Sequence, residues 1–386
     1  MTTTLCIAAL IGLLGRSPSS VPVPEQDTSA TPAPSTVRDG QLVVLLAEPP
    51  QGGNVRLVLF DSAVSFGRFS DPLRVVTYPA DGRDTFLLPE VPTGEYALVV
   101  HHDENANDAF DKNFLGIPVE SIAISRGYRP KGPPIYARAN FTLVPGEERT
   151  FELELEPVLG LRGRFGVGLG VVGRSSPYVD GNAGVFQPIP AITYNGKRLQ
   201  WLGPSLRYGL VGNDRLRLAA SAQYRIRVYE EDDSPALAGL GDRKDTLLAG
   251  LALIGELPAG INVAAGYEHD VFDRIGGGSA FVEARRTFQA GNTRWTPSLG
   301  LNWTSSKLAN HDFGVPFDGA LPGRPAYEVD DYVSLEAGLG SFWEITRDWR
   351  IVANASVEFL PSEVTDSPIV ADDTVIAGFF ALTYAF

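Results

Sequence analysis

Long segments of strict two-residue alternation fill the second half of the chain. Between Arg215 and Val228 the even-numbered positions are apolar or aromatic and most odd-numbered positions are polar, and similar patterns recur in residues 161–171, 295–303 and 349–359. Successive side chains of a strand point to opposite faces, so each segment has one apolar and one polar face. Strands of about 9 to 11 residues with this alternation are typical of membrane-spanning β-barrels, whose closed sheet satisfies every backbone group within lipid.

Turn residues divide this half into strands. Short connections such as Asn195-Gly196 and Thr346–Asp348 alternate with long loops such as residues 230–244 and 305–330. Outer-membrane barrels place short turns in the periplasm and long loops outside the cell. Residues 160–386 are therefore predicted to form an antiparallel transmembrane β-barrel of about twelve strands, or ten if residues 198–211 form one strand. Both termini are then expected in the periplasm.

The polar faces of these strands are predicted to line the barrel lumen. Small barrels fill their interior with side chains, so arginines and glutamates there are expected to pair as structural content rather than to form a catalytic site. No Gly-x-Ser-x-Gly motif accompanies the histidines of this half. We therefore predict that the protein is not an enzyme. The predicted lumen residues are Arg215, Arg217, Arg225, Arg227, Glu336 and Glu358.

The end of the chain alternates in the same way and terminates in an aromatic residue. Phe380, Leu382, Tyr384 and Phe386 are predicted to share the lipid face of the last strand. A C-terminal aromatic residue in this alternation resembles the signal that the barrel-assembly machinery reads. That machinery is therefore an expected partner, together with outer-membrane lipids and lipopolysaccharide.

Residues 39–156 contain shorter strands between frequent turns and predict a periplasmic β-sandwich domain. The fold class is thus all-β throughout. Alternation is clearest where Phe151, Leu153 and Leu155 face one way and the intervening glutamates face the other. The predicted strands are Leu42–Leu46, Val55–Phe60, Thr85–Leu88, Tyr96–His101, Arg138–Leu143 and Thr150–Leu155.

An acidic, asparagine-rich segment follows the predicted strand that ends at His101. Asp103, Asn105, Asn107 and Asp111 alternate in a spacing that lets oxygen ligands surround one calcium ion. Asp108 stands where such loops favour glycine. The alternative is a hairpin loop whose side chains cap their own backbone. Calcium is the one cofactor that the sequence suggests.

The first 38 residues predict export. The apolar run Leu5–Gly15 has the length of a signal-peptide core, and residues 1–20 are predicted to form the signal peptide. Residues 21–38 are rich in proline, serine and threonine and predict an extended linker. Cys6, within the signal peptide, is the single cysteine, so the mature chain is expected to have no disulfide.

Composition excludes one class of partner. The formal net charge is -14, and the basic residues are scattered rather than gathered into a stripe that could follow a phosphate backbone. Nucleic acid is therefore not an expected partner.

Both halves resemble known families. Residues Gly94–Ser125 and Gly132–Leu143 are similar to a widespread exported domain family of unknown function, covering about residues 40–156. The barrel half resembles the MipA/OmpV family of outer-membrane proteins in an ordered set of motifs. These motifs are Gly166–Leu199, Tyr229–Thr246, His311–Pro316, the sequence DSPIV at 366–370 and the terminal FFALTYAF.

The second resemblance implies an outer-membrane barrel in a Gram-negative cell. It also implies a scaffold, because the best-known member is described as bringing a lytic transglycosylase and a penicillin-binding protein together during peptidoglycan growth. We therefore expect a structural or scaffolding protein of the cell envelope, with periplasmic peptidoglycan enzymes as partners. The alternatives are a narrow solute pore and a surface-exposed adhesin or antigen.

Overall fold

The computed structural model describes residues 39–159, 163–181, 184–213 and 215–386. The predicted signal peptide (1–20) and linker (21–38) lie outside these residues. Within the described ranges, no helix has both the length and the apolar character needed to cross a membrane.

The N-terminal domain consists of short strands and two short helices. Frequent turns keep each strand to ten residues or fewer. Its elements are β1 (Gly40–Leu46), β2 (Gln51–Phe60), α1 (Ala63–Arg68), β3 (Arg74–Asp81), β4 (Thr85–Val91), β5 (Gly94–Asp103), β6 (Ser121–Ile124), α2 (Tyr136–Ala139), β7 (Phe141–Leu143), β8 (Glu148–Leu153) and β9 (Glu156–Pro157).

Two sheets of this domain pack over one apolar core. One sheet has the order β4-β1-β8, and the other has the order β3-β2-β5-β6-β9 with β7 paired to β5. Leu42, Leu57 and Leu98 come from different strands and are fully buried between the sheets. The opposite face of the second sheet is covered by the helices, where the rings of Phe60 and Phe66 meet at 5.8 Å. The predicted β-sandwich is thus confirmed.

The structure differs from the predicted strands of this domain in boundaries and by additional strands. The predicted strand Arg138–Leu143 begins as helix α2, in which the Asn140 amide donates to the Tyr136 carbonyl, and only β7 is extended. Strands β3 and β6 were missed. β3 contains a proline, which weakens a strand prediction, and β6 has only four residues.

The C-terminal half consists of long strands with helices only in the loops. Alternating side chains let each strand face lipid on one side and the lumen on the other. Its elements are β10 (Arg164–Arg174), β11 (Val185–Asn195), β12 (Leu199–Leu202), β13 (Ser205–Gly212), β14 (Leu216–Arg225), β15 (Thr246–Leu257), β16 (Ile261–Asp270), β17 (Gly278–Arg286), β18 (Phe288–Ala290), β19 (Thr293–Thr304), α3 (Ser306–Phe313), β20 (Tyr332–Glu344), β21 (Trp349–Phe359), α4 (Ser362–Thr365) and β22 (Thr374–Ala385).

These strands close into an antiparallel barrel. Neighbours along the chain pair with each other, and β10 pairs with β22 from Gly166 opposite Ala385 to Arg174 opposite Ala377. β17 and β18 both pair with β19 and form one interrupted strand, so the barrel has twelve strands. The alternative of ten strands is wrong, because a turn at Gly203 and Pro204 separates β12 from β13.

The two ends of the barrel differ. At the short-turn end, turns of a few residues connect the strands, and the start of β10 and the end of β22 lie at this end. At the long-loop end the connections are residues 175–184, 226–245, 271–277, 305–331 and 360–373. The alternation is as predicted: Leu169 is 80% exposed on the outer face, whereas Ala219 and Arg225 face the lumen.

Candidate functional site

The N-terminal domain lies on the short-turn end of the barrel and contacts its rim. Lys131 forms an ion pair with Asp348 at 2.7 Å, and Arg138 donates to the backbone carbonyls of Glu344 and Ile345, each at 3.0 Å. We call the barrel residues that form hydrogen bonds or ion pairs with the domain the docking rim. They are Arg164, Gly196, Arg217, Glu256, Gln289, Arg294, Glu344, Ile345, Asp348, Arg350 and Ala385.

Several docking-rim contacts use backbone carbonyls of the domain. Gln289 and Arg294 both donate to the Pro134 carbonyl at 3.1 Å, and Arg350 donates to the Lys131 carbonyl at 2.8 Å. The carbonyl groups of this proline-rich loop have no partner in the described neighbouring strands, so barrel side chains donate hydrogen bonds to them. The domain is therefore held around the rim by many separate polar contacts.

One hairpin of the domain enters the lumen. This hairpin, residues 112–118 and called here the Phe114 hairpin, is closed by Asn113, whose side-chain oxygen accepts from the amides of Leu115 and Ile117. Phe114 packs against lumen residues Ala219, Ile254 and Ala264. Arg217 donates to the Phe114 carbonyl at 2.7 Å, and its guanidinium lies 5.8 Å from the ring centre.

Gly209 makes room for this ring. A Cβ atom added at Gly209 would lie 2.1 Å from Cγ of Phe114, far closer than non-bonded carbon atoms approach each other. The glycine therefore leaves a niche in the barrel wall that the aromatic ring fills. Phe114 and its neighbours form the floor of the lumen.

The acidic segment that begins at Asp103 forms the base of the Phe114 hairpin. Asp103 is fully buried, and its two carboxylate oxygens accept from the backbone amides of Asn107 and Asp108. Asn105 and Asn107 each donate a side-chain N–H to the Asp111 carboxylate, at 2.7 and 3.0 Å. The structure thus brings all four predicted ligands together, in the hydrogen-bonding pattern of the hairpin alternative. Among the described residues no group of three or more His, Cys, Asp or Glu side chains is arranged to hold a metal, and calcium binding stays a prediction.

A buried pair of His101 and Glu120 anchors the acidic segment to the sandwich. His101 Nε2 lies 2.6 Å from a Glu120 carboxylate oxygen, and the other Glu120 oxygen accepts from the Glu104 amide at 3.0 Å. Burial lowers the pKa of His101, against the opposing effect of Glu120. The imidazole also stacks on Phe110 at 4.3 Å. The base of the Phe114 hairpin is therefore fixed in position.

Loops of the barrel cover the opposite, long-loop end. Four of them contribute to one apolar cluster, which we call the long-loop cap. Tyr178 and Tyr229 are both buried in this cap, with ring centres 4.9 Å apart. Burial raises the pKa of Tyr229 to about 12. The cap residues are Tyr178, Val228, Tyr229, Leu237, Leu240, Ala309, Phe313, Val315, Val329, Tyr332, Leu360, Val364, Ile369, Val370 and Val375.

One ion pair ties the cap to the barrel wall. Asp312 is 2% exposed and pairs with Arg225 of β14, while His311 Nδ1 lies 2.9 Å from its other oxygen. Burial raises the pKa of Asp312, but Arg225 and His311 outweigh this effect and bring the pKa down to about 2. The segments that carry the family resemblance at 229–246, 311–316 and 366–370 thus build the cap.

The space between floor and cap is a chamber rather than a packed core. Two adjoining cavities of about 540 and 470 Å³ share Arg174, Arg207 and Asn354 as wall residues. Leu308, Asp312 and Tyr332 form part of the ceiling, and Phe281, which packs with the Phe114 cluster, lies lower in the wall. The prediction that side chains fill the interior is therefore wrong.

The predicted lumen residues do not pair as arginine–glutamate ladders. Glu336 accepts a hydrogen bond from Asn302 at 2.9 Å, and Glu358 accepts one from Ser334 at 2.7 Å. The two glutamates lie opposite each other on neighbouring strands. Arg217 and Arg225 face the lumen as predicted, with the partners described above.

Two of the predicted lumen arginines lie elsewhere. Arg215 lies in the turn before β14 and is exposed at the short-turn end. Arg227 lies beyond the end of β14, where it pairs with Glu230 at the edge of a cavity. The alternation of apolar and polar residues extends beyond both ends of β14, so the sequence pattern could not show where this strand starts and stops.

The predicted terminal face is present on β22. Phe380, Leu382 and Phe386 are exposed on the outer surface, and Tyr384 packs edge-on against Trp349 at 5.3 Å. The Phe386 amide donates to the Phe165 carbonyl at 3.0 Å and completes the closure beside β10. Recognition of this face by the assembly machinery stays a prediction.

Sequence reasoning missed Phe114, Gly209 and Asp312. Phe114 is a large apolar residue inside an otherwise acidic segment, and that contrast was the available signal. Its contact with Gly209 joins residues almost a hundred positions apart, which local patterns cannot reveal.

Two family profiles match the chain. Residues 167–386 match the family described as MltA-interacting protein MipA, and residues 48–151 match a family described as uncharacterized protein conserved in bacteria (DUF2141). The MltA-interacting protein of Escherichia coli strain K12 is 28% identical over 213 residues, covering 54% of this chain and 84% of that protein. Outer membrane protein Omp26La of Vibrio anguillarum is 28% identical over 179 residues, covering 46% of this chain and 69% of that protein.

Proposed function

The chain belongs to the MltA-interacting protein MipA family, and from this premise we propose that it is a scaffold of the cell envelope that holds peptidoglycan enzymes beneath the outer membrane. It is an outer-membrane β-barrel protein. Outer-membrane barrels place their short turns in the periplasm, so the short-turn end is expected there, with the N-terminal domain on the cell-wall side.

The docked N-terminal domain carries the proposal. Its contacts reach strands around the barrel, so it presents a surface in a fixed orientation toward the cell wall. Leu73 and Val144 are exposed on that domain even when it is docked, at 49% and 52%. The name of the Escherichia coli relative records interaction with MltA and supports a peptidoglycan enzyme as the partner class.

The chamber gives less support to the alternative of a pore. Among the described residues, the Phe114 hairpin lies within the short-turn end of the lumen and the long-loop cap lies above it. We expect a continuous water path to require movement of both, whereas a scaffold needs neither to move. Conductance in planar bilayers is therefore expected to be small or absent.

Photo-crosslinking in living cells tests the scaffold. A photoreactive amino acid at Leu73 or Val144 is expected to capture periplasmic peptidoglycan enzymes, identified by mass spectrometry. Phe317, 91% exposed at the long-loop end, is the matched position that is expected to capture none of them.

Deletion of residues 39–156 is expected to remove these crosslinks while the barrel still shifts its gel mobility on boiling. Equal capture from Phe317 and Leu73, or no capture of cell-wall enzymes from the domain, would overturn the proposal.

A further inference from the structure

The barrel wall is incomplete beside strand β11. β11 pairs with β10 along its whole length, from Asn195 to Val185. On its other side it pairs with β12 only through Thr193, Tyr194 and Asn195, because β12 has four residues. One more bond joins the Gly203 amide to the Ile192 carbonyl. Above this point, residues 185–191 have no strand partner on that side among the described residues.

The sequence of β11 suits an open edge. Backbone N–H and C=O groups of alternate residues point to the same side of a strand, and the Ile192 carbonyl points toward β12. The backbone groups of Pro188 and Pro190 therefore point to the same side as the Ile192 carbonyl, where no strand of the described chain pairs with them. Proline has no N–H, so two donors that lipid could not satisfy are absent. Prolines at an edge also prevent another strand from adding to it.

The larger cavity reaches this opening. Its lining includes lumen-facing Ile189 and Ala191 together with Ile192, whose side chain alternates to the outer face. Gly203 and Pro204, the turn between β12 and β13, form the lower edge of the gap, and Ile226 lies above it. We call this gap the side opening. Its edges include both lumen-facing and outward-facing residues of the cavity lining.

The cavity has an apolar side and a cationic side. Val172, Val352 and Phe379 face inward on neighbouring strands, and Phe379 is 39% exposed although it faces the lumen. Arg207 and Arg285 line the same cavity, and the side chain of neither forms an ion pair or hydrogen bond with the described part of the chain. Asp233 is the one acidic residue in that lining, while Glu268 and Glu283 line the adjoining cavity.

We propose that this cavity binds an anionic amphiphile with a single alkyl chain, such as a fatty acid, which enters from the membrane through the side opening. The alkyl chain packs along the apolar wall formed by Val172, Ala191 and Phe379. The carboxylate meets Arg207 and Arg285, which attract an anion with planar, strongly donating guanidinium groups. A volume of about 540 Å³ lies within the roughly 300–1,000 Å³ of ligand cavities. This binding site goes beyond the scaffold role and does not depend on it.

Fluorescence titration of the full-length protein in phosphatidylcholine nanodiscs tests the site. The probe is 11-(dansylamino)undecanoic acid, with the corresponding alcohol as a matched uncharged ligand. Ala191→Trp fills the chamber and is expected to weaken binding of the acid at least tenfold. Leu169→Trp places the same ring on the lipid face of the adjacent strand and is expected to leave binding unchanged.

Arg207→Gln separates the charged part of the site from the apolar part. It is expected to weaken binding of the acid by on the order of tenfold and to leave binding of the alcohol unchanged. Each variant is first checked for folding by its heat-dependent gel mobility. Undiminished binding of the acid to folded Ala191→Trp, or an equal loss of acid and alcohol in Arg207→Gln, would overturn the proposal.

A second measurement tests the side opening itself. Bimane is attached to Ile189→Cys in the lumen beside the opening, to Leu169→Cys on the lipid face and to Ser298→Cys on the far lumen wall, with Cys6 replaced by serine. Nitroxide-labelled lipids are expected to quench the probes at 189 and 169 strongly and the probe at 298 weakly. Equal weak quenching at 189 and 298 contradicts lateral entry.

Discussion

Four loops of the barrel close the long-loop end by burying apolar side chains against one another, whereas a separate domain contacts the short-turn end through many hydrogen bonds and ion pairs and the inserted ring of Phe114. Apolar burial is non-directional and contributes roughly in proportion to the area removed from water. Exposed polar contacts each contribute little because water competes for them. The cap is therefore part of the barrel fold, while we expect the domain to detach before the barrel unfolds.

The largest effect is expected in the centre of the cap. Phe313→Ala removes a ring that is 1% exposed, and such a truncation costs about 3–5 kcal/mol. Hydrogen exchange in residues 305–331 is expected to rise strongly, while exchange in the Phe114 hairpin stays constant. Phe317→Ala, which removes an exposed ring from the same loop, is the control and is expected to change nothing.

Acid is expected to weaken the cap through Asp312. Its pKa is lowered from 3.8 to about 2, so the folded cap holds the charged form more strongly than the unfolded chain does. The stabilisation is complete above about pH 4 and is lost as the pH falls toward 2, an effect of roughly 2 kcal/mol. Exchange in α3, corrected for its intrinsic pH dependence, is expected to rise across this range. Asp312→Asn is expected to show no such transition, and an identical transition in that variant would assign the effect to another group.

Overfilling the Phe114 niche is expected to release the domain. Gly209→Ala places a methyl group where the Phe114 ring lies, and such overpacking costs about 1–3 kcal/mol. Protease cleavage within residues 104–119 is expected to accelerate, with the heat-dependent gel shift of the barrel unchanged. Gly340→Ala, where an added Cβ would make only ordinary contacts, is the control in another strand. Cleavage that rises equally in both variants contradicts a specific niche.

A single rim ion pair is expected to have the smallest effect. Lys131 and Asp348 are both partly exposed, and such pairs contribute about 0–1 kcal/mol. Lys131→Met is expected to leave docking intact at low salt and to accelerate the same cleavage less than twofold. A complete release of the domain by this one change would show that the contacts around the rim are not independent.

The sequence predicted the barrel better than it predicted the ends of the barrel. Alternation in β14 and β21 reports directly on the two faces of a strand, and it revealed both the barrel and the outward face of β22. The ends depend on contacts between distant segments. Phe114 with Gly209 and Arg225 with Asp312 have no spacing that a local pattern could detect.

The side opening shows a further limit. The Pro188 and Pro190 pair is visible in the sequence, but only the four-residue length of β12 shows that these prolines lie on an unpaired edge. The lumen likewise could not be judged from composition. Arg207 and Arg285 line one cavity whereas Glu268 and Glu283 line the adjoining one, a separation that depends on contacts between strands.

A cysteine crosslink can show whether the N-terminal domain lies on the barrel with Phe114 inside the lumen. In a chain with Cys6→Ser, the pair Phe114→Cys and Gly209→Cys is expected to form an intramolecular disulfide in intact cells. The pair Phe114→Cys and Leu251→Cys, with the second cysteine on the lipid face, is expected to form none. Mass spectrometry of the purified chains distinguishes the results: a disulfide in the first pair alone supports the docked domain, and its absence from the folded protein contradicts it.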